Sequence, residues 1–307
     1  MDPISLSFST PALLWSVRIA AVATLVCWGL QTLFTNYSWV DRLWSIMPPV
    51  YAWVFVVCTR PLHARLLLMA ALATVWGARL TFNFARKGGY HPLEEDYRWG
   101  TVRAWLTAHD PTHPLGRELF SLLFIAIYQH LLIASFCVPA LAFVASSSAR
   151  RPLTALDAVA ASAFLGFLAL ETLTDQQQWR FQRQKHRMTL EERTLAGGDF
   201  ARGFLTRGAF RFSRHLNFFC EASLWWAFAL FPIAAGAPGL NGMLVGPLLL
   251  TLLFQGSTWL TERISVAKYP EYRRYQKTTS RLIPWRTGPS LEVVPVRPEH
   301  CQPRVDT

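Results

Sequence analysis

Residues 207–221 read RGAFRFSRHLNFFCE, and the chain runs straight on as ASLWWAFALFPIA, residues 222–234. Three arginines, a histidine, an asparagine and a glutamate therefore stand at the mouth of an apolar stretch. Asn217 and Glu221 are four apart, so a helix that begins here carries both on one face, with Arg207, Arg211 and Arg214 leading into it. The pattern reads as an anion-binding entrance at a membrane surface.

Composition extends that reading to the whole chain. Of 307 residues, 52% are hydrophobic and only 16% charged, too apolar for an ordinary soluble domain. The formal net charge of +11 raises nucleic acid as a partner. The basic residues, however, lie between apolar spans rather than along one soluble helix or sheet, which favours membrane topology as the cause. The first apolar run, Ala12 to Phe34, is too long for a signal-peptide core and has no basic stretch before it, so it reads as a membrane span. Only Lys87, Lys185, Lys268 and Lys277 are lysines. The arginine excess suits phosphate recognition and follows equally from genome composition. The five cysteines show no paired spacing and no His-x-x-x-His pair falls on a helix, so neither disulfides nor a metal are expected.

A membrane helix needs about 20 largely apolar residues. Seven stretches qualify, roughly 12–34, 40–58, 66–84, 119–143, 154–174, 217–235 and 243–261, the second and sixth interrupted or ended by Pro48, Pro49 and Pro232. Seven spans put 24 basic residues on one side and 4 on the other, with Arg18 and Arg79 inside spans. By the positive-inside rule the N-terminus is expected outside and the C-terminus in the cytosol. The expected fold is thus an all-α, polytopic membrane helix bundle of about seven transmembrane helices. One helical domain over 1–286 is followed by a polar, proline-containing tail, 287–307, expected to be disordered. The protein is expected in the endoplasmic reticulum membrane if eukaryotic and in the plasma membrane if bacterial, with the bilayer and a lipophilic small molecule as partners, and with neither nucleic acid nor an obligate protein partner.

Several polar constellations interrupt the apolar spans. In WGARLTFNFARKGG (76–89), Trp76, Arg79, Asn83 and Arg86 form one helical stripe, and Arg79 sits about a turn inside the membrane boundary, where it either snorkels or meets an anion. EEDYRWGTVRAW (94–105) mixes acids, arginines and aromatics as an interfacial helix does. Glu171, Asp175, Gln178 and Gln182 form another stripe; Glu171 falls before the apolar run is over and needs a partner in the bundle or water. Near the C-terminus Tyr272 and Tyr275 share a face, with Arg281 and an Ile-Pro-Trp stop beyond. That helix either covers an adenosine or is a plain amphipathic surface helix. No Gly-x-Gly-x-x-Gly follows a strand, and neither a phosphate loop nor a nucleophile elbow is present.

Taken in order, WGARL (76–80), EDYRW (95–99), the Glu171/Asp175 stripe, SRHLNFFCE (213–221) and YRRYQKTTSRLIPW (272–285) resemble the membrane reductases similar to steroid 5-alpha-reductase, especially their microbial and protist branch. The resemblance covers about Asp41 to Trp285. It implies a multi-span reductase that takes NADPH from the cytosol and reduces a carbon–carbon double bond next to a ketone in a sterol or other lipid. It further implies that Arg79, Asp175, Asn217 and Glu221 hold the nicotinamide end, joined by Glu171, where steroid reductases carry an amide. Arg211, Arg214, Tyr272, Tyr275 and Arg281 fall where phosphates and adenosine are expected. Asp41, in NYSWVDRLWS (36–45), resembles the acid that contacts the ketone, with Tyr37 or Tyr51 as the substitute for the tyrosine that the reductases carry at the position of Trp76. A carboxyl there needs a raised pKa, or a tyrosine partner, to donate near neutral pH. The chain departs from the reductases at Trp76, where they carry tyrosine, at Leu216, usually proline, and at Cys220, usually glycine.

Two other readings stand beside this one. Isoprenylcysteine carboxyl methyltransferases share a similar Arg-His-x-Asn-x-x-x-Glu element, here Arg214 to Glu221, and would imply S-adenosylmethionine; that cofactor has no phosphate for so many arginines to meet. A non-catalytic membrane protein of the same fold is the reading that the three departures favour.

Overall fold

The computed structural model describes residues 11–109, 114–147 and 152–286, which contain helices and turns and no strand. The expected disordered tail, 287–307, lies outside the described residues. The helices are α1, Pro11–Phe34; α2, Trp39–Trp44; α3, Met47–Cys58; α4, Ala64–Ala85; α5, Tyr97–His109; α6, Pro114–Phe120; α7, Tyr128–Ser135; and α8, Val138–Ser147. They continue with α9, Ala155–Arg187; α10, Leu190–Ala196; α11, Gly198–Arg202; α12, Leu216–Phe228; α13, Leu230–Ala234; α14, Val245–Lys268; and α15, Tyr272–Thr278. A π-helical segment, Ser121–Ile127, joins α6 to α7.

Among the described residues, six helical stretches are long and apolar enough to cross a membrane: Pro11–Phe34, Ala64–Ala85, Leu115–Ser146, Ala155–Arg187, Leu216–Ala234 and Gly242–Lys268. The chain is a polytopic membrane helix bundle. The stretch expected to span at 40–58 departs from the reading. It is broken at Ser45 and Ile46 into α2 and a 12-residue α3 whose first turn holds Pro48 and Pro49. Proline fits a first helical turn, where its missing N–H is no loss, and cannot continue a helix already under way. At about 1.5 Å per residue α3 is roughly 18 Å long, short of the ~30 Å hydrocarbon core. The 33-residue α9 goes the other way. At roughly 50 Å it outruns the hydrocarbon, so its polar C-terminal third emerges.

Two compact units divide the described residues. The first holds the chain up to Leu168 together with Glu221–Gln255. Here α3 packs along α4, and α1 along α3 and the π-helical segment. The α3 to α4 approach depends on Gly77: a Cβ there would meet the Ser45 carbonyl oxygen at 2.5 Å and Pro49 Cγ at 2.6 Å. Small residues at helix crossings do this in membranes, where tight packing replaces the missing hydrophobic drive. The starts of α4 and α9 are joined by a buried ion pair, Arg65 Nε to Asp157 Oδ1 at 2.7 Å and Nη2 to Oδ2 at 2.8 Å. Trp76, Phe136, Phe164 and Phe228 surround Trp225 as an aromatic core. Between α1, α3 and α4 lies an apolar groove of about 690 Å³, lined by Trp15, Ile19, Pro49, Val50, Trp53 and Val57 among others.

The second unit holds Ala169–Cys220 and the chain from Gly256 onward. Thr189 and Glu192 start α10 by a reciprocal capping box, which satisfies two of the backbone N–H groups a helix start leaves open. Buried Asp199 accepts from Thr206 through both its N–H, 3.1 Å, and its hydroxyl, 2.6 Å. Buried Lys185 donates to the Gly203 carbonyl at 2.9 Å and to the Tyr269 hydroxyl at 3.2 Å. Phe204, Tyr272 and Tyr275 form the unit's aromatic core.

Candidate functional site

The proposed acid and its tyrosine partner lie together in the first unit. Asn36 Oδ1 accepts from Ser38 N–H at 2.9 Å, a local turn that sets up α2 and presents Asp41 in its first turn. Trp99 Nε1 donates to Asp41 Oδ2 at 2.9 Å, and the Tyr37 and Trp99 rings meet edge to face at 5.9 Å. One indole thus touches both residues. Burial pushes the Asp41 carboxyl above its usual range, more than the Trp99 hydrogen bond and the Arg98 charge pull it down. Burial also raises the Tyr37 phenol, although the Arg103 guanidinium opposes it. Burial works against the Asp96 charge as well, but Arg98, whose Nε stands 2.8 Å away, holds that carboxyl low. Two neighbouring acids are thereby driven in opposite directions, as a proton donor beside a fixed charge requires.

The loop that leads into α5, and so to Trp99, is tied to α2 through its backbone. Buried Arg42 donates to the carbonyls of Gly89 at 3.1 Å, His91 at 2.8 Å and Glu94 at 3.0 Å, and stacks over Trp39 at 4.2 Å. Asn36 Nδ2 donates to the carbonyls of Pro92 and Glu94, both at 3.0 Å. Glu95 accepts from Tyr37 N–H at 2.7 Å and pairs with Arg103, which lies over the Tyr37 ring. Sequence reasoning missed Trp99, Arg42 and Asn36. The signal for Trp99 was its place in the EDYRW element; nothing local marks an arginine as a ligand for backbone carbonyls. Tyr51 is fully buried on α3 and its hydroxyl bonds to no protein atom among the described residues.

Glu221 lies in the same unit, held by two tryptophans. Trp76 Nε1 stands 3.1 and 3.0 Å from its two oxygens, and Trp225 Nε1 stands 3.1 Å from Oε1. The residue that departs from the reductase pattern is therefore a carboxylate ligand. Arg79 is partly buried one turn further along α4, and Asn83 accepts from Arg86 Nε at 2.9 Å.

In the second unit Asn217 Nδ2 donates to Asp175 Oδ1 at 3.3 Å, so this expected pair is brought together, with Glu171 buried a turn earlier on α9. Gly208, at φ +62°, lets Gln177 approach and accept from Ala209 N–H at 2.8 Å; a Cβ would meet Gln177 Oε1 at 2.5 Å. Arg211 is exposed and Arg281 partly so. Three residues expected at a ligand are engaged inside the unit instead. Arg214 is buried against Glu262, Nε to Oε1 at 2.6 Å, and donates to the carbonyls of Gln276 at 3.0 Å and of Thr279. The Tyr275 hydroxyl donates to the Phe210 carbonyl, and Tyr272 and Tyr275 pack on Phe204. Glu262, unassigned in the sequence, also accepts from Gln276 at 2.8 Å and meets His215 Nε2 at 3.1 Å. Burial keeps His215 below the usual histidine range despite that carboxylate.

The fold defines a polytopic, all-helical membrane protein with buried, hydrogen-bonded carboxylates. The chain belongs to the family described as "Protein of unknown function (DUF1295)", whose pattern matches residues 27–279. It is 35% identical over 285 residues to Uncharacterized protein C594.04c of Schizosaccharomyces pombe, an alignment that takes in 88% of this chain and 78% of that one. No solved structure matches it.

Proposed function

We propose that the protein is a membrane-embedded, NADPH-dependent reductase of a carbon–carbon double bond conjugated to a ketone in a lipophilic substrate. The observation that carries this reading is Asp41, a carboxyl whose pKa burial raises above the ordinary range and which Trp99 holds beside Tyr37. Such a group donates a hydrogen bond or a proton to an oxygen that gains charge, and a donor aimed there lowers the barrier to enone reduction. NADPH, when bound, supplies the hydride. The apolar groove between α1, α3 and α4 supports a lipophilic substrate.

The residues that fit the cofactor's polar parts are the Asp175–Asn217 pair together with Arg211 and Arg281. Arg214, Tyr272 and Tyr275 act instead as positioning residues that hold the segment around Arg281.

The test uses full-length protein in detergent. NADPH raises the unfolding temperature more than NADH or S-adenosylmethionine does. Arg211→Ala weakens that shift, whereas Asp41→Asn keeps it. Lipid extracts from cells with and without the gene differ by species two hydrogens apart, a difference that Asp41→Asn erases. A shift with S-adenosylmethionine and none with NADPH refutes the reading in favour of a methyltransferase.

A further inference from the structure

We infer that the outer face of α15 and the closed loop that follows it, residues 280–286, form a binding surface for anionic phospholipid headgroups. Its position comes from covalent continuity. The membrane-crossing stretch Gly242–Lys268 ends three residues before α15 begins at Tyr272, so α15 starts at headgroup depth. Its charge is one-sided. Residues 263–286 hold seven arginines and lysines and a single acid, Glu271, which Arg202 Nε engages at 3.1 Å.

The faces of α15 are sorted by packing. Tyr272 and Tyr275 point into the unit's aromatic core, so Arg273, Arg274 and Lys277 are left on the outward side, and all three are exposed. The loop beyond them is held in shape. Arg214 N–H donates to the Ser280 carbonyl at 2.9 Å and His215 N–H to the Arg281 carbonyl at 3.1 Å, while Ser280 N–H reaches the Arg286 carbonyl at 3.3 Å and closes the loop. That closure presents Ile283, 50% exposed, and Trp285, 78% exposed, next to exposed Arg286. A tryptophan and an isoleucine offered to the medium from a fixed loop are costly in water and favourable at a bilayer interface. Basic residues near an anionic leaflet attract it, each by a modest amount that adds along the cluster. Aromatic anchor and basic face together match an acidic phospholipid, whose headgroup carries the charge and whose chains meet the anchor. This surface does not depend on the reductase reading.

The experiment measures lipid retention by full-length protein in neutral detergent, using native mass spectrometry and thermal unfolding. Phosphatidylserine, phosphatidylcholine and inorganic phosphate are compared. Phosphatidylserine is expected to be retained on the order of tenfold over phosphatidylcholine, and retention falls as salt is raised. The triple variant Arg273→Glu/Arg274→Glu/Lys277→Glu loses that preference while its unfolding temperature in phosphatidylcholine stays at the wild-type value, because all three side chains are exposed. Trp285→Ala lowers retention of phosphatidylserine with no change of charge. Equal retention of the two lipids overturns the inference, as does inorganic phosphate stabilising as well as the lipid does. So does an equal loss of preference in Arg180→Glu/Arg183→Glu/Arg187→Glu, which changes the same charge at exposed positions of α9.

Discussion

The indole nitrogen of Trp76 lies 3.0 Å from Oε2 and 3.1 Å from Oε1 of Glu221, so one N–H is shared between both oxygens of a buried carboxylate. The second indole, Trp225, serves Oε1 from one turn along the same helix. Phenylalanine at 76 keeps much of the ring packing and removes the donor. Trp76→Phe is therefore expected to lower stability by about 1–3 kcal/mol, the cost of a buried polar group losing its partner. Trp76→Phe combined with Glu221→Leu should cost less than the two changes added. Denaturant unfolding in detergent measures both, and additive losses would show that the contact contributes nothing.

Arg214 donates to Glu262 and to two carbonyls of the Gln276–Thr279 turn, so its removal takes the counter-charge from a buried carboxylate and leaves it only Gln276 and His215. Arg214→Ala is expected to destabilise the protein by roughly 3–5 kcal/mol. It should also open 270–286 to protease, since the cut-resistant state of that segment depends on the pair. Limited proteolysis followed by peptide mapping reads this out. Arg211→Ala, on an exposed side chain, should leave the cleavage pattern unchanged.

The raised pKa of Asp41 sets a direction for pH dependence. Its folded pKa lies above the ordinary 3.8, so the native state keeps a proton that the unfolded chain releases. The stability it contributes is complete below about pH 4 and is lost as pH rises through the folded value. Asp41→Asn removes that loss. Unfolding temperatures taken from pH 4 to 8 should therefore show the variant gaining on the wild type as pH rises. Parallel curves would mean that Asp41 titrates as an exposed acid does.

Gly77 and Gly166 are both helical glycines with opposite surroundings. A Cβ at 77 meets backbone oxygen at 2.5 Å, whereas nothing lies within 4 Å of one at 166. Gly77→Ala should cost about 1–3 kcal/mol through forced separation of α3 and α4. Gly166→Ala should be neutral, or stabilising by up to about 1 kcal/mol through helix propensity. Comparing their unfolding midpoints under one condition separates the two effects.

Most of the bundle was legible in the residues because a membrane imposes one crude requirement, an apolar run of sufficient length. Three of the seven expected spans, 12–34, 66–84 and 217–235, lie within two residues of observed helical stretches, while 119–143, 154–174 and 243–261 lengthen to Leu115–Ser146, Ala155–Arg187 and Gly242–Lys268. The failure at 40–58 has the same root. Apolarity is summed over the stretch, whereas the break at Ser45 and Ile46 reflects a turn that hydropathy does not register.

The candidate site was legible in part. Asp175 and Asn217 do meet, although 42 positions apart on α9 and α12, and Asp41 and Tyr37 are gathered around Trp99 because a short local turn sets them near each other. For Arg214 and Tyr275 the partners were not legible for a physical reason: a guanidinium or a phenol has the same donors whether it faces a ligand or a carbonyl of its own chain. Which of these it meets is decided by distant segments, here Glu262 and the 276–281 turn for Arg214, and Phe210 for Tyr275.

By itself, then, the order of residues determined that this chain is a helical membrane protein with a basic stretch at 207–221 and a few acids too deep to be solvated. It could do so because the cost of exposing backbone or charge to hydrocarbon depends on local composition alone. Only the tertiary structure decided which polar groups are already satisfied by their own chain, and that tryptophans hold both Asp41 and Glu221. Those contacts join residues 58 and 145 positions apart, and no local property of the chain encodes them.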